Sequence, residues 1–152
     1  MATDTIILKR KVQIYIDSDI KEDREKYYEK LFSWRDIVYR GANLVLSHLY
    51  LQERLQDMVY LDEGVKAKIA DSKLEDEGLL NCSRMGSGYK LLSKLFLKQV
   101  PMTIMACVNQ MAYKQYMREK GEYWFGKRSI GNYKRTMPMP FSGSVLKINL
   151  DE

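Results

Sequence analysis

The sequence predicts an α+β fold that is mainly helical: one long helix, two or three basic helices after it, and strands at the two ends of the chain pairing in a small sheet. Three observations carry this expectation. Apolar residues recur every three or four positions from about residue 21 to about residue 60, which marks one face of a helix. They alternate over residues 6–16 and again in "SVLKINL" near the C-terminus, which marks half-buried strands. A hydrophobic content of 45% beside 30% charged residues belongs to a folded chain, and 152 residues suit one domain with a real core.

In the first strand Ile6, Leu8, Val12, Ile14 and Ile16 share one side, broken only by Arg10. Lys9, Lys11 and Gln13 give the other side a basic character. "DSDIKED" follows, where Ser18 or Asp19 can cap a helix and the acids suit its positive N-terminal end. The long helix then carries Tyr27, Leu31, Trp34, Val38, Ala42, Val45 and Leu49 towards a core. Lys26, Lys30, Ser33, Asp36, Arg40, Asn43 and Ser47 form a polar stripe. Unbroken, it would be roughly 60 Å long, so a kink near Gly41 or a break after Tyr50 is expected. Its aromatics read as core.

"LDEGVKAKIADSKLEDEG" is acidic and poorly amphipathic, and reads as a short helix inside an excursion; "NCSRMGSG" reads as a loop. A third helix over residues 89–100 packs Leu91, Leu92, Leu95 and Phe96 inward. Lys90, Lys94 and Lys98 lie on its other side, each one turn from the next. Pro101 opens a fourth helix over residues 102–120, with Met105, Val108, Ala112 and Tyr116 buried and Gln110, Lys114 and Arg118 on another face. Gly121 should end it. The basic stretch "GKRSIGNYKRTMPMPF" then returns the chain to the closing strand, where Val145 opposes Leu146, Ile148 and Leu150. That strand is expected beside the first.

Several classes are disfavoured. No apolar run approaches the ~20 residues of a membrane-spanning helix. The N-terminus lacks the order of a secretory signal, so a cytoplasmic protein is expected. Cys82, Cys107 and the single His48 lack zinc-ligand spacing, and reduced, buried thiols are the simpler expectation. A phosphate-binding glycine loop, HExxH and GxSxG are all missing, so neither catalysis nor a cofactor is expected.

The net charge of +5 is unevenly spread. Residues 1–60 balance ten Lys/Arg against ten Asp/Glu, whereas residues 81–137 hold eleven against two, for +9. Like charges at i,i+4 cost a few tenths of a kcal/mol per pair, so helix stability does not explain the lysine line. It is either a solubility face or a track for phosphates, whose spacing along a strand is of the same ~6 Å scale. Tyr123, Trp124, Phe125 and Tyr133 interleave with the cations, as in surfaces that stack bases and pair phosphates. Trp124 reads as a hydrophobic plug for the loop, and Tyr133 as the contact for nucleic acid.

The strand "KRKVQIYID", the helix "YYEKLFSWRDIVYRGANLVLSHLY", the basic helices and "GKRSIGNYKRTMPMPF" come in the order found in the N-terminal half of compact RNA-guided DNA nucleases. The chain resembles the TnpB-like transposon proteins and the small type V CRISPR effectors over nearly its whole length. In that family the chain returns to its opening domain through a serine, a Tyr-Lys pair and a Pro-hydrophobic-Pro. Here these are Ser129, Tyr133 with Lys134, and Pro138, Met139, Pro140.

The resemblance implies one unit over residues 1–152. Residues 1–18 and 143–152 would be strand-forming parts of a wedge domain, 19–125 a helical recognition insertion, and 126–142 a basic return loop. It also implies that Lys9, Arg10, Lys11, Lys127, Arg128, Tyr133, Lys134 and Arg135 contact guide RNA. Lys90, Lys94, Lys98, Lys114 and Arg118 would contact the guide–target duplex or flanking DNA, and Gln110 suits base edges on the same face. The family's metal-binding carboxylates and zinc ribbon would follow the closing strand, so no residue here receives a catalytic role and a non-catalytic binder is expected. The competing expectation is a small phage or mobile-element module that binds a host protein, for instance as an inhibitor of a CRISPR nuclease. Its signature would be an exposed apolar patch drawn from Met102, Met105, Met111, Met117, Met137 and Met139.

Overall fold

A computed structural model describes residues 11–60 and 83–143 of the chain. They form three helices, α1 (Lys21–Tyr60), α2 (Arg84–Phe96) and α3 (Met102–Trp124), followed by an irregular segment over residues 125–143. The mainly helical expectation holds for these residues, and no strand occurs among them. Residues 11–16, the described half of the expected first strand, are irregular, and Val12, Ile14 and Tyr15 are exposed. A strand needs a neighbour for its backbone groups. The Ile16 N–H donates to the Tyr28 hydroxyl, at 3.3 Å. Residues 1–10 with Lys9 and Arg10, the acidic excursion over 61–80, Cys82 and the closing strand over 144–150 lie outside the described residues.

α1 runs 40 residues as one helix, so the expected break after Tyr50 does not occur, and Gly41 lies well inside the helix. Gly41 has another use: a Cβ there would stand 2.6 Å from Met105 Cε and 3.2 Å from Leu92 Cδ2. The glycine lets α2 and α3 approach α1 closely. Ser18 starts the helix differently from a cap, its hydroxyl accepting the Ile20 N–H at 3.3 Å in a local turn.

α2 begins five residues earlier than predicted, within the expected loop. Ser83 caps it, accepting the Gly86 N–H at 3.0 Å. The two glycines that suggested a loop cost roughly 1 kcal/mol each in a helix. Gly88 repays this by contact, since a Cβ there would lie 2.3 Å from Asn109 Oδ1. α2 also ends early, at Phe96, and Lys98 adopts φ +69° beyond it. Pro101 then caps α3, as its position suggested. α3 continues past the exposed Gly121 and stops where Gly126, at φ +66°, supplies the left-handed residue that closes a helix.

The helices pack all three ways. Gly41 meets Leu92 and Met105, whereas Glu53 meets Arg84 and Tyr116, so α3 runs alongside α1 and α2 runs against both. Val38, Ala42, Val45 and Leu49 of α1 pack with Leu92 and Phe96 of α2 and with Met105, Val108, Ala112 and Tyr116 of α3. Each fully buried Val or Leu contributes about 1.5–3 kcal/mol. The predicted stripes are therefore correct at the centre of the bundle. Leu95 of α2 and Tyr27, near the N-terminal end of α1, were assigned inward and are exposed. No described helix is long and apolar enough to cross a membrane.

The basic segment is the fourth side of the core. Ile130, Tyr133, Met139 and Phe141 pack on it and Met137 is buried. The chain here runs back past Glu119, then Asn43, then Asp36.

Candidate nucleic-acid interface

The cations fall into two groups that sequence alone does not separate. The first group is paired with carboxylates of the molecule itself, although Arg118, Arg135 and Arg40 stay largely exposed. Glu53 of α1 joins all three helices: Arg84 Nη2 and Lys120 Nζ each lie 3.2 Å from Oε1, and the Tyr116 hydroxyl donates to Oε2. Burial opposes ionisation of Glu53, but the hydrogen bonds from Tyr116 and Lys120 and the charge of Arg84 outweigh it and lower its pKa. Burial and the same carboxylate push the Tyr116 phenol up.

Glu119 is a second hub. Its nearly buried carboxylate accepts from the Tyr123 hydroxyl at 2.5 Å and from Arg118 at 3.1 Å, and Arg128 stands 3.7 Å away. The Tyr123 hydrogen bond, with Arg118 and Arg128 behind it, holds Glu119 below the usual carboxylate range despite burial. Arg128 also reaches Glu122 at 3.6 Å. A third pair of cations shares Asp36: Arg135 at 3.1 Å and Arg40 at 3.9 Å. Thus Arg118 and Arg128 meet at one carboxylate, and Arg135 meets Arg40 at another.

The second group is exposed. Lys90 and Lys94 lie on the outer side of α2, and Gln110 and Lys114 on the outer side of α3. Lys11, Lys98, Lys127 and Lys134 are exposed on irregular segments. Among the described residues none of these lysines has a carboxylate within ion-pair distance. Lys98 departs from the predicted line, because α2 ends at Phe96 and the left-handed backbone takes Lys98 off the Lys90–Lys94 face. Lys90 and Lys94 remain one turn apart, about 6 Å along the axis.

The aromatics differ from the expectation in their burial. Tyr133 packs against the core, its backbone is pinned by Asn43 (N–H to Oδ1 2.7 Å, C=O from Nδ2 3.1 Å), and burial pushes its phenol up to about 12. It anchors the segment. Trp124, expected as the plug, is 47% exposed, and the buried plug is Tyr123. Of the six methionines that would have marked a partner surface, Met105 and Met137 are buried and the other four pack partly buried on the core. Cys107 is a partly buried free thiol.

Sequence reasoning missed Arg40 and the carboxylates that hold the arginines. Asp36 and Arg40 stand at i,i+4 on the predicted polar stripe, but Asp36 meets Arg135 across 99 positions of chain, so no local signal marks their sharing of one carboxylate. Comparison of the chain with protein-family models, with curated proteins and with solved structures finds no match.

Proposed function

We propose that this chain is a nucleic-acid-binding module that grips structured RNA, and DNA paired to it, through the phosphate backbone. In this proposal it acts as the guide- and target-holding part of an RNA-guided DNA endonuclease of the TnpB-like or small type V kind, without a cutting site of its own. The supporting observation is the set of exposed lysines on α2, on α3 and on the segments flanking them, with only two acids between residues 83 and 143. Lysine is a flexible point charge, suited to phosphate and uninformative about base identity. Binding would draw its free energy from counterion release, and sequence would be read by pairing to the guide. The small sheet, with strands from residues 1–18 and 143–152, belongs to the same proposal.

The test is binding of a fluorescently labelled, structured RNA to the chain and to its Lys90→Glu, Lys94→Glu, Lys98→Glu variant. The proposal expects binding that the triple reversal abolishes at physiological salt. Equal binding by both proteins would refute the lysine surface. A chain that leaves RNA free and co-purifies with a protein partner would instead mark a protein-interaction module.

A further inference from the structure

Where α3 ends, an aromatic ring stands in solvent on a rigid mount. Phe125 is 74% exposed. Its backbone N–H donates to the Gly121 carbonyl at 3.3 Å, that of Gly126 to Tyr123 at 3.2 Å and that of Lys127 to Glu122 at 2.9 Å. The last two are the paired bonds that close a helix around a left-handed glycine, and Gly126 has φ +66°. Directly before it, Tyr123 is buried with its hydroxyl fixed to Glu119. The ring is thus carried by a capped helix end, although a phenyl group has nothing to gain from water.

Its surroundings are cationic. Lys127 Nζ lies 5.9 Å from the Phe125 ring centre. Arg54 stacks 4.0 Å from the centre of the half-exposed Trp124 ring, and Arg128 is tied to Glu122 one turn back. An apolar protein side chain seated here would strip water from Lys127 and Arg54 without pairing them. A strand of bases and phosphates answers both features, since every base offers a flat face and every linkage an anion.

We infer that Phe125 is a stacking platform for an unpaired nucleobase of single-stranded RNA or DNA, with Trp124 and Arg54 completing the tip and Lys127 meeting the neighbouring phosphate. This inference rests on the nucleic-acid reading above and adds a single-strand site to it.

The test uses the full chain and three labelled strands of about 12 nucleotides, within the usual site sizes: single-stranded RNA, DNA of the same sequence, and DNA of that length whose central residues are abasic. The wild type should bind at least one base-bearing strand about tenfold more tightly than the abasic one. The RNA and DNA arms show which polymer is preferred. Phe125→Ala should erase that difference and leave abasic affinity unchanged, and Phe125→Trp should restore it. A matching thermal melt checks that the alanine variant is folded. Full discrimination retained by Phe125→Ala, or equal binding of all strands by the wild type, overturns the platform alone. A wild type that binds none of the strands and no structured RNA overturns the nucleic-acid reading with it.

Discussion

Glu119 is the residue whose removal reports most on how the basic segment is held. Its side chain is 8% exposed, and Glu119→Ala deletes the acceptor for Tyr123, Arg118 and Arg128 together. The Tyr123 ring is buried, so its hydroxyl loses a partner that water does not readily replace, at a cost of about 1–3 kcal/mol. Arg118 and Arg128 are half exposed or more, and their loss adds less than about 1 kcal/mol each. The sum is about 1–5 kcal/mol. At about 2–4 °C per kcal/mol for a chain of this size, Tm should fall by about 2–20 °C.

Circular dichroism melts across pH test the cause as well as the size. Because the folded state lowers the Glu119 pKa, its contribution is complete above the ordinary carboxylate value of about 4.3. It is lost as pH falls through the depressed folded value. The gap in Tm between wild type and Glu119→Ala should therefore be full at pH 7 and close progressively below about pH 4. A gap under about 2 °C at pH 7, or one that persists unchanged into acid, would refute the assignment of Glu119 as a hub.

Two further substitutions probe close packing and charge sharing. Gly88→Ala should destabilise by about 1–3 kcal/mol in chemical denaturation, because Asn109 cannot withdraw without breaking its 2.8 Å bond to the Met85 carbonyl. Gly41→Ala should cost less, since its tightest contact is the movable end of Met105; the reverse order would contradict the packing described. Asp36→Asn releases Arg135 and Arg40, so low-salt affinity for structured RNA should rise about 2–5-fold while the melt changes little. Weaker binding would place those arginines outside the interface.

What could be read from the sequence follows from how local each signal is. The central stripe of α1 from Val38 to Leu49 was legible because its apolar spacing is regular, and the α3 stripe from Met105 to Tyr116 for the same reason. The start of α2 was hidden by Gly86 and Gly88, and the contact that explains Gly88 comes from Asn109, a residue on another helix. The end of α3 turned on which glycine takes a positive φ, and Gly126 rather than Gly121 does so. In the return segment charge drew attention, while Ile130, Tyr133, Met137, Met139 and Phe141 follow neither helical nor strand spacing. Their common burial appears only once α1 and α3 are assembled. The basic character of the candidate surface was legible; the division into paired arginines and unpaired lysines was not, because the acids arrive through tertiary contacts.

The most direct measurement is the dependence of RNA affinity on salt. With the six lysines at 90, 94, 98, 114, 127 and 134 engaged on phosphates, log K should fall against log salt with a slope of about −4 to −5. Neutralising Lys90 or Lys94 singly should flatten it by about 0.7–0.9 each. A slope near zero, or one unmoved by either substitution, would contradict a phosphate-gripping surface on this bundle.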